Sequence, residues 1–371
     1  MSKIKITHII TGLNMGGAET MLYKLLKHMN KEKYDVNVIS MMDEGVYGKK
    51  IHDLGFEVIC LNMKQGVPNI KSFIKAKKSI EKTNIIQTWM YHADLLGYVL
   101  FKLSRAEKLI WGIRRSNLDS KVNKKSTMII AKINSRLSKK VDKVVSCSLK
   151  AKGVHEEFGY FDENLLVIPN GFELGQFSRD KNAKIKLSKI IGVRNDIPYI
   201  AHVGRWNILK DYNNLIESLF KLKQRGIKFR AVLAGTNIAE SNQELVGLIK
   251  QFDLTNYISL LGRRNDIPTI MAGADVFVSS SLGEGFPNVV GEAMACETPC
   301  VVTDVGDSAY IVGDTGRVVP RKDSDALSKG IIDLLNLSEI ERKQLGSFAR
   351  KRIVENFDIY KVTKQFEELY Q

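Results

Sequence analysis

The feature that most constrains this chain is a regular alternation of short apolar runs with segments of helical spacing. A short apolar run bounded by turn residues predicts a buried strand, and apolar residues that recur at helical spacing predict one face of a helix. The predicted strands are Ile4–Thr11, Asp35–Ser40, Glu57–Leu61, Asn84–Trp89, Lys108–Ile113, Lys143–Ser148, Leu165–Pro169, Tyr199–Val203, Phe229–Ala234, Ile258–Leu261, Asp275–Ser279, Pro299–Thr303 and Arg317–Val319. Strands that alternate with helices predict parallel sheets covered on both faces.

The alternation passes through the chain twice, so we predict an α/β protein of two doubly wound, Rossmann-like domains that face a cleft. A chain of 371 residues is also longer than one core usually serves. We assign residues 1–185 to an N-terminal domain and residues 186–350 to a C-terminal domain. Residues 351–371 have a helical pattern, and we expect this helix to pack back on the N-terminal domain. The polar stretch 178–196 is the predicted hinge.

Positive charge is concentrated in the first half. The chain has 56 Lys and Arg against 41 Asp and Glu, which gives a formal net charge of +15. Residues 1–185 hold 32 basic and 18 acidic residues and carry +14, whereas the remainder carries +1. This asymmetry predicts an anionic partner for the first domain alone. No basic sheet with interleaved aromatic residues is present, so nucleic acid is not the expected partner.

The composition indicates a globular protein of the cytoplasm. Hydrophobic residues make up 44% of the chain, enough to fill a core, and no apolar run reaches the length of a membrane-spanning helix. The opening MSKIKITHIITG is typical of a strand, not of a signal peptide. Of the four cysteines, Cys296 and Cys300 lie in apolar surroundings, which favours buried free thiols over a disulfide or a metal pair.

A proline-containing turn in SLGEGFPNVVGEAMACETPCVVTD, at 281–304, predicts the start of a helix over Asn288–Glu297. Pro287 stands where the first turn of a helix tolerates proline. The first amides of such a helix, at Asn288 and Val289, have no partner inside the helix and lie at the positive end of its dipole. We therefore expect a phosphate site at this point.

Two acids flank that expected phosphate site. Glu284 lies on the loop before the helix, and Glu292 lies one turn inside it. A carboxylate repels phosphate, so both are interpreted as acceptors for sugar hydroxyls. The alternative is a pair of solvated surface acids, which their shared loop and helix make the weaker interpretation.

A second strand-to-helix junction carries two cations. In HVGRWNILKDYNNLIESL, at 202–219, Arg205 follows a strand and Lys210 precedes a helix. An arginine fork and a lysine point charge at the carboxyl end of a strand are suited to a diphosphate. A pair of ordinary surface cations is the alternative.

A third junction is rich in glycine. In TGLNMGGAET, at 11–20, Gly12, Gly16 and Gly17 lie between a strand and a helix, where backbone can approach a ligand closely. The spacing is not the dinucleotide fingerprint, and no acid clearly ends the second strand, since Asp43 lies beyond it. A nicotinamide oxidoreductase is therefore disfavoured, and a simple tight turn remains an alternative.

Together these segments resemble retaining glycosyltransferases of the GT-B fold, specifically glycosyltransferase family 4. The resemblance covers nearly the whole chain and rests on GGAE at 16–19, VIPNGFELGQF at 167–177, VGRWNILKD at 203–211 and LLGRRNDIPTIMAGADVFVSSSLGEGFPNVVGEAMA at 260–295. The last stretch contains the E-x7-E pattern of the family. This resemblance implies that the N-terminal domain binds an acceptor and the C-terminal domain binds a nucleotide sugar.

The resemblance also implies roles for particular residues. Arg205 and Lys210 would hold the donor diphosphate, Glu292 the ribose and Glu284 the donor sugar, with the turn 262–264 against the base. The implied donor-binding residues are Gly16, Gly17, Arg205, Lys210, Gly262, Arg263, Arg264, Glu284, Gly285, Phe286, Pro287, Asn288, Val289 and Glu292. The implied catalytic residues are Arg205, Lys210, Glu284, His92 and Arg114.

One position departs from the family pattern. Relatives usually carry a histidine near the reacting sugar, in the loop that here reads LIWGIRRSNLD at 109–119, and Arg114 takes its place. Either Arg114 substitutes as a donor to sugar or phosphate, or another residue takes over. His92 in QTWMYHADLLG is the second candidate, against a structural role. The neighbouring Asp94 is interpreted as a helix cap or as an acceptor contact.

The resemblance implies front-face attack assisted by the departing phosphate, without an enzymic nucleophile. No metal or other cofactor is expected, because cations and helix amides meet the leaving charge. The only D-x-D, Asp323–Asp325, precedes a helical segment and is interpreted as a cap. The alternatives are a nucleotide-sugar epimerase or hydrolase of the same fold and a non-catalytic binding protein. The resemblance to the family also implies that the nucleoside of the donor is uridine.

Basic amphipathic segments in the first domain predict a membrane partner. Ser126–Lys140 places four apolar residues along one stripe, with basic residues elsewhere: Ile129, Ile130, Ile133 and Leu137 against Lys132, Arg136, Lys139 and Lys140. Ile70–Lys82 likewise combines Phe73 and Ile74 with Lys71, Lys75, Lys77 and Lys78. Such helices lie in the interface of anionic bilayers. We expect peripheral association with the inner face of the cell membrane, which gives access to a lipid-linked saccharide acceptor. A solvated basic face over ordinary core helices is the alternative.

Overall fold

The structure is a computed structural model that describes residues 3–63, 69–119, 123–194 and 196–371. It divides into two compact units, of which unit 1 comprises Met1–Gly171 with Ile359–Gln371 and unit 2 comprises Phe172–Asp358. The chain therefore passes from unit 1 to unit 2 after residue 171, earlier than the predicted boundary at residue 185. It returns to unit 1 at residue 359, later than the predicted boundary at residue 350. Within the described ranges, no helix combines the length and the apolar composition needed to cross a bilayer.

Unit 1 contains a seven-stranded sheet in the order β3-β2-β1-β4-β5-β6-β7. Its strands are β1 (Ile4–Ile10), β2 (Tyr34–Ser40), β3 (Glu57–Cys60), β4 (Ile85–Trp89), β5 (Lys108–Ile113), β6 (Lys143–Ser146) and β7 (Leu165–Val167). Every pairing is parallel, and β1 lies between β2 and β4, in register Ile6↔Val36 on one side and Ile6↔Ile85 on the other. All residues of β4 are buried, because helices cover both faces of the sheet.

The helices of unit 1 begin and end at recognisable signals. They are α1 (Gly17–His28), α2 (Gly45–Asp53), α3 (Ile70–Ser79), α4 (Tyr91–Lys102), α5 (Lys125–Leu137) and α6 (Leu149–Phe158). The Ser148 hydroxyl accepts a hydrogen bond from the amide of Ala151, which caps α6, and Gly159 ends that helix at φ 104°. Asn69 caps α3 through the amide of Ser72. Such caps satisfy amides that have no partner within the helix.

The C-terminal helix completes the core of unit 1. Helix α15 (Ile359–Leu369) buries Ile359, Val362 and Phe366 in the same hydrophobic cluster as residues of β1 and α1. Tyr370 follows it, is 2% exposed, and donates its hydroxyl hydrogen bond to the amide oxygen of Gln87 on β4. Unit 1 is therefore built from both ends of the chain.

Unit 2 contains a six-stranded parallel sheet in the order β10-β9-β8-β11-β12-β13. Its strands are β8 (Tyr199–Val203), β9 (Arg230–Ala234), β10 (Ile258–Leu260), β11 (Val276–Ser279), β12 (Cys300–Thr303) and β13 (Arg317–Val319). Its helices are α7 (Ala183–Ile191), α8 (Tyr212–Gln224), α9 (Gln243–Gln251), α10 (Ile267–Gly273), α11 (Asn288–Ala295), α12 (Ser308–Val312), α13 (Ser324–Leu335) and α14 (Glu339–Phe357). Asp323 accepts from the Ala326 amide at 2.8 Å, which confirms the D-x-D as a helix cap.

Two local predictions are wrong. The predicted hinge contains α7, whose Ala183 and Leu187 are fully buried; its three lysines made an ordinary helix look like a polar linker. Asn195 of that stretch lies outside the described residues. The tail forms two helices instead of one, with a break at Asp358, which is extended at ψ 132°. The amide of Phe172 donates to the Phe357 carbonyl at 2.8 Å at this break.

The strand order places the predicted motifs. In each sheet the order reverses direction once, between β1 and β4 in unit 1 and between β8 and β11 in unit 2. The connections that leave the two strands at such a point turn to opposite faces, so a crevice forms at the carboxyl ends. In unit 2 these connections are residues 204–211 and 280–287, which contain the two motifs that the sequence singled out.

Candidate active site

The two connections at the crevice of unit 2 are tied to each other. The Leu282 amide donates to the Leu209 carbonyl at 2.8 Å, and the Ser280 hydroxyl donates to the Lys210 carbonyl at 2.8 Å. Asp211 adopts a left-handed conformation at φ 46° and caps α8 through the Asn214 amide. The loop that carries Lys210 is therefore held at both ends.

A lysine and a glutamate meet between these connections. Lys210 Nζ lies 2.6 Å from Glu284 Oε1, and the two side chains are 18% and 15% exposed. The Ser281 hydroxyl donates to the same carboxylate oxygen at 2.7 Å. The structure thus brings two residues predicted from separate motifs into direct contact, in a partly buried position where charges interact strongly.

Two glycines make room for this arrangement. A Cβ on Gly204 would lie 3.4 Å from Lys210 Cδ, so the lysine stem passes close over the backbone. A Cβ on Gly306 would lie 2.5 Å from the carbonyl oxygens of Glu284 and Gly285, and Gly306 has φ 55°. Sequence reasoning missed Gly306; the signal was a glycine in the turn after a strand, three residues beyond Thr303 in VTDVGD.

A buried histidine was also missed. His202 is 2% exposed on β8, and its Nδ1 hydrogen-bonds to the Val278 carbonyl at 2.9 Å, where it must be the donor. Burial, and secondarily the charge of Lys210, lower the pKa of His202 to about 4. Its Nε2 has no partner among the described residues and lies beneath Gly204. The neutral ring therefore offers a bare acceptor next to the lysine stem.

Helix α11 begins at the crevice, as predicted. Pro287 precedes it in an extended conformation, and the Val290 amide bonds the Pro287 carbonyl at 3.1 Å. The helix can approach the start of unit 2 only because residue 291 is glycine, since a Cβ there would overlap the ring of Phe172. Glu292 is half-buried one turn inside the helix.

Phe286 does not present its side chain to the crevice. It is 7% exposed and packs in an aromatic cluster with Phe172 at 6.1 Å and Phe357 at 5.7 Å between ring centroids. Pro287 is buried as well. These two predicted donor-binding residues therefore support the turn, and only their backbone and that of Gly285 remain for ligand contact.

The turn after β10 holds the other predicted cations of unit 2. Gly262 has φ 64°, and its amide donates to the Ile238 carbonyl at 2.7 Å. Arg264 makes a bidentate pair with Asp266, at 2.8 and 2.6 Å, and this hydrogen bonding raises the pKa of the arginine. Arg263 is exposed. The guanidinium of Arg264 is thus already engaged locally.

Arg205 differs from the other cations of the crevice. Its side chain is exposed, and it has no ion pair with any residue in the described ranges. It lies on the same connection as Lys210 and has room to meet an anion.

In unit 1, the glycine loop leads into α1. Gly16 is the residue before the helix, and the Glu19 carboxylate folds back over it, in the space that a Cβ would fill. Burial raises the pKa of Glu19. Nothing lies within 4 Å of a Cβ position on Gly17. Of the two glycines, only Gly16 is restricted by its surroundings.

The two residues at the start of α4 have different surroundings. His92 is half-buried, and burial together with Arg115 lowers its pKa. Asp94 is fully buried and accepts from the Thr88 hydroxyl at 2.5 Å. The interpretations of Asp94 as a helix cap or as a contact to the acceptor substrate are wrong, because its side chain points back at β4. Burial raises the pKa of Asp94 to about 7.

Arg114 lies at the carboxyl end of β5, packed between aromatic rings. Its guanidinium carbon is 4.5 Å from the centre of Trp89 and 5.7 Å from that of Phe366. Nη1 donates to Asn170 Oδ1 at 3.1 Å, whereas Nε and Nη2 are buried with no partner among the described residues. Burial lowers the pKa of Arg114. Two donors of a held cation therefore remain unsatisfied.

Two family models match the chain in tandem. The model of Glycosyltransferase Family 4 matches residues 15–176, and the model of Glycosyl transferases group 1 matches residues 183–352. The chain belongs to glycosyltransferase family 4. The matched segments include both connections of the unit 2 crevice. The membership of this family that GGAE and E-x7-E predicted is therefore confirmed.

Relatives of this glycosyltransferase span most of its length. It is 26% identical over 311 residues to the putative glycosyltransferase EpsF of Bacillus subtilis, which covers 82% of this chain and 80% of that protein. It is 23% identical over 379 residues to the UDP-Gal:alpha-D-GlcNAc-diphosphoundecaprenol alpha-1,3-galactosyltransferase of Escherichia coli, with 100% and 97% covered. These relatives are named as glycosyltransferases, and this chain is one too.

Solved structures share the fold of this glycosyltransferase. Anabaena HepE, in complex with UDP and glucose, has a TM-score of 0.84 at 21% identity and 99% coverage of both chains. A glycosyltransferase from Rickettsia africae has a TM-score of 0.86 at 20% identity, with 100% and 98% covered. This likeness confirms the prediction of two parallel-sheet, Rossmann-like domains of the GT-B type.

Proposed function

We propose that this glycosyltransferase moves a sugar from a nucleotide diphosphate sugar to a hydroxyl of a lipid-linked saccharide, with retained anomeric configuration and without a metal ion. The observation that carries the proposal is the Lys210–Glu284 pair at the crevice, beside the first turn of α11. Cation, carboxylate and helix amides together suit a ligand that is both anionic and polyhydroxylated.

UDP is the proposed carrier, and surface polysaccharide or glycolipid synthesis the proposed context. Anabaena HepE was solved with UDP-glucose, which supports a uridine donor for this fold. The Escherichia coli relative is named for transfer from UDP-Gal to a diphosphoundecaprenol-linked sugar. A capsular polysaccharide glycosyltransferase, CapM of Staphylococcus aureus, is 24% identical over 385 residues. The Escherichia coli name supports a lipid-linked acceptor, and the Staphylococcus aureus name supports polysaccharide synthesis.

In the proposed reaction, the bond that breaks leaves negative charge on the diphosphate. Arg205, Lys210 and the first amides of α11, at Asn288 and Val289, stabilise that charge because they are held in place before the reaction. Lys210 exchanges its ion pair for the diphosphate, which frees Glu284 to accept hydrogen bonds from the sugar hydroxyls. Glu292 accepts from the ribose, one turn further along the helix.

The remaining predicted residues have supporting roles in this proposal. The turn of Gly262, Arg263 and Arg264 contacts the base, with Arg264 oriented by Asp266. Gly16 and Gly17 allow backbone to approach the donor. Arg114 directs its two unsatisfied donors to the sugar or phosphate in place of the histidine of the family, and His92 assists.

A nucleotide-sugar panel tests the proposal. Each compound is scored by protection of the protein against heat, with EDTA in every well, and we expect a UDP-sugar to protect regardless of EDTA. Turnover of that donor with an undecaprenyl-diphosphate-linked sugar, followed by NMR of the anomeric proton, reports retention. Donor consumption that needs no acceptor would instead favour a hydrolase or an epimerase.

We also propose that unit 1 associates with the cytoplasmic face of an anionic membrane. In α5 the buried residues are the small Ala131, Asn134 and Ser135, whereas Ile129 and Ile133 are 60% and 38% exposed. Ile129 and Ile133 of the apolar stripe therefore face solvent, whereas Ile130 is half-buried and Leu137 packs against the core. An exposed apolar stripe with basic neighbours is typical of a helix that lies in a bilayer interface.

Helix α3 repeats this arrangement. Ile70 and Ile74 are 80% and 60% exposed, and the exposed Lys71, Lys75 and Lys78 surround them. Its buried positions are again small, at Ser72 and Ala76. Lysines near an anionic leaflet each add about 1 kcal/mol of attraction, so the two helices support salt-sensitive binding.

Flotation with phosphatidylglycerol-containing liposomes tests this association. We expect binding that falls with salt and is lost in the double variant Ile129→Asn/Ile133→Asn. Ile340→Asn is the matched control, since Ile340 is 71% exposed on unit 2. Absence of binding at low salt, or equal loss in the control, would reject a membrane role for unit 1.

A further inference from the structure

A second concave site lies on unit 2, beside the crevice that holds Lys210. It is a cavity of about 580 Å³ between the connection 206–208, the first turns of α8 and the start of α9. Among the described residues that line it, none is Arg205, Lys210, Glu284 or Glu292. Its size is within the range of small-molecule sites. The cavity shares Trp206, Asn207, Ile208, Asp211 and Leu282 with the two connections of the crevice, but it contains none of the side chains that are proposed to hold the donor.

An unsatisfied buried amide lines this cavity. Asn214 is 5% exposed, and its Nδ2 has no hydrogen-bond partner among the described residues. Its backbone amide is engaged by Asp211, so the side chain is not needed to cap α8. A buried donor without a partner costs free energy, and a ligand oxygen in the cavity would satisfy it.

An aromatic ring forms another wall. Trp206 is half-buried, lies 5.0 Å from the ring of Tyr212, and donates its Nε1 hydrogen bond to Glu244 Oε2 at 3.3 Å. The backbone amide of Trp206 is fixed to the Thr236 carbonyl at 2.9 Å. The ring is thus held by three neighbours, and a held ring can take the apolar face of a ligand with little loss of entropy.

The charge of the lining selects the ligand. Three carboxylates, of Asp211, Glu217 and Glu244, line the cavity with one cation, Lys322. Lys221, outside the lining, pairs with Glu217 at 3.4 Å, so the balance of charge at the cavity stays acidic. Phosphate and other anions are therefore disfavoured. Carboxylates accept hydrogen bonds only, so they are matched by a ligand that donates several, such as one with multiple hydroxyl groups.

We propose that this cavity binds a neutral saccharide. The apolar face of a sugar ring packs on Trp206, its hydroxyls donate to Glu217 and Glu244, and an oxygen accepts from Asn214 Nδ2. This site contains none of the side chains that are proposed to hold the donor, and it depends on no step of the proposed transfer. It would hold a saccharide on the enzyme without reacting with it.

Tryptophan fluorescence provides a direct measurement on the full-length protein. The chain has three tryptophans, and Trp89 and Trp111 are 0% exposed in unit 1, so a ligand-induced change reports mainly Trp206. The probes are glucose, galactose, N-acetylglucosamine, lactose and maltotriose, with glucuronate as the anionic comparison. We expect a saturable change with at least one neutral sugar, a weaker response to glucuronate, and no displacement by saturating UDP.

Variants separate this site from the donor site. Asn214→Ala and the surface variant Glu244→Gln should each weaken sugar binding about tenfold, measured by saturation-transfer NMR. Glu240→Gln, an exposed acid outside the cavity, is the matched control. Lys210→Ala should weaken donor binding and leave sugar binding intact. No response to any neutral sugar, displacement by UDP, or full binding by Glu244→Gln would each overturn the proposal.

Discussion

Lys210 and Glu284, which are 74 residues apart in the chain, form a 2.6 Å ion pair at the carboxyl end of the unit 2 sheet. Each lies on a connection that leaves the point where the strand order reverses, between β8 and β11. Because both side chains are mostly buried, loss of either partner leaves the other charge poorly compensated. The pair is therefore stable without ligand, and an incoming diphosphate competes for the lysine.

Replacement of that lysine should stop transfer. We expect Lys210→Ala to lower turnover by roughly a hundred- to a thousandfold, since one preorganised donor to the leaving group is lost. The measurement is initial rate at limiting donor. Lys223→Ala is the matched control, because Lys223 also pairs with an acid, Asp253, at 2.5 Å on unit 2. A near wild-type rate for Lys210→Ala would refute the site.

Glu292 should act on donor affinity. Removal of a carboxylate that accepts ribose hydroxyls is expected to weaken nucleotide binding by about tenfold or more, at the usual free energy of a charged hydrogen bond. Isothermal titration with UDP gives the comparison, with Glu240→Ala as the exposed-acid control. Equal affinity in Glu292→Ala and wild type would assign the glutamate to the solvated surface.

Arg114 should act on turnover more than on donor affinity. We expect Arg114→Met to lower kcat severalfold with a small change in the donor KM, and Arg114→His to restore part of the loss. Arg114→Met also loses the cation–π contact to Trp89, which should lower the free energy of unfolding by about 1–2 kcal/mol. Unfolding of each variant is therefore measured in parallel.

Arg115→Met is the control for that series, since Arg115 is exposed and donates a hydrogen bond from Nη1 to Asn123 Oδ1 at 2.9 Å. If Arg114→Met loses stability alone, with kcat unchanged well below its melting temperature, the arginine has a purely structural role.

The start of α11 should depend on Gly291. A Cβ at that position meets the ring of Phe172, so Gly291→Ala is expected to lower the free energy of unfolding by about 1–3 kcal/mol. Phe172→Leu in the same chain should recover part of the loss. Gly247→Ala in α9 is the control, because nothing lies within 4 Å of its Cβ position, and there we expect a gain of up to about 1 kcal/mol.

The stability of unit 1 should depend on pH. Burial lowers the pKa of His8 to about 3 and of His155 to about 4, whereas burial raises that of Asp94 to about 7. As pH falls below about 6.5, the unfolded chain binds protons at both histidines and the folded chain does not, so their contribution is lost. Asp94 opposes this, because its protonated form favours the folded state and that contribution is lost as pH rises through about 7.

Between about pH 4.5 and 6.5 the unfolded chain binds two protons at the histidines, whereas the folded chain binds one at Asp94. The unfolded chain therefore holds one proton more, and the free energy of unfolding rises by about 1.4 kcal/mol for each unit of increasing pH. Asp94→Asn should roughly double that slope. Urea unfolding followed by Trp89 and Trp111 in a Trp206→Phe background reports unit 1 alone. A flat profile, or an unchanged slope in Asp94→Asn, would contradict the assignment.

Local patterns predicted the elements well for a physical reason. Residues 199–203 were predicted as a strand and are β8, all of whose residues are buried, because a strand buried on both faces is mainly apolar. The start of α11 after Pro287 was predicted from backbone chemistry that acts within one turn. Patterns failed where distant residues intervene, as at Asp358, where Phe172 interrupts the helix.

The sequence alone determined the order of strands and helices, the two Rossmann-like domains, and the positions of Lys210, Glu284 and Glu292 on their connections. Only the tertiary structure decided that Glu284 neutralises Lys210, that Phe286 turns into an aromatic core, and that Asp94 is buried against Thr88. The reason is one of range. Periodicity and turn chemistry act over a few neighbouring residues, whereas the partner and solvation of a side chain depend on whichever distant segment packs against it.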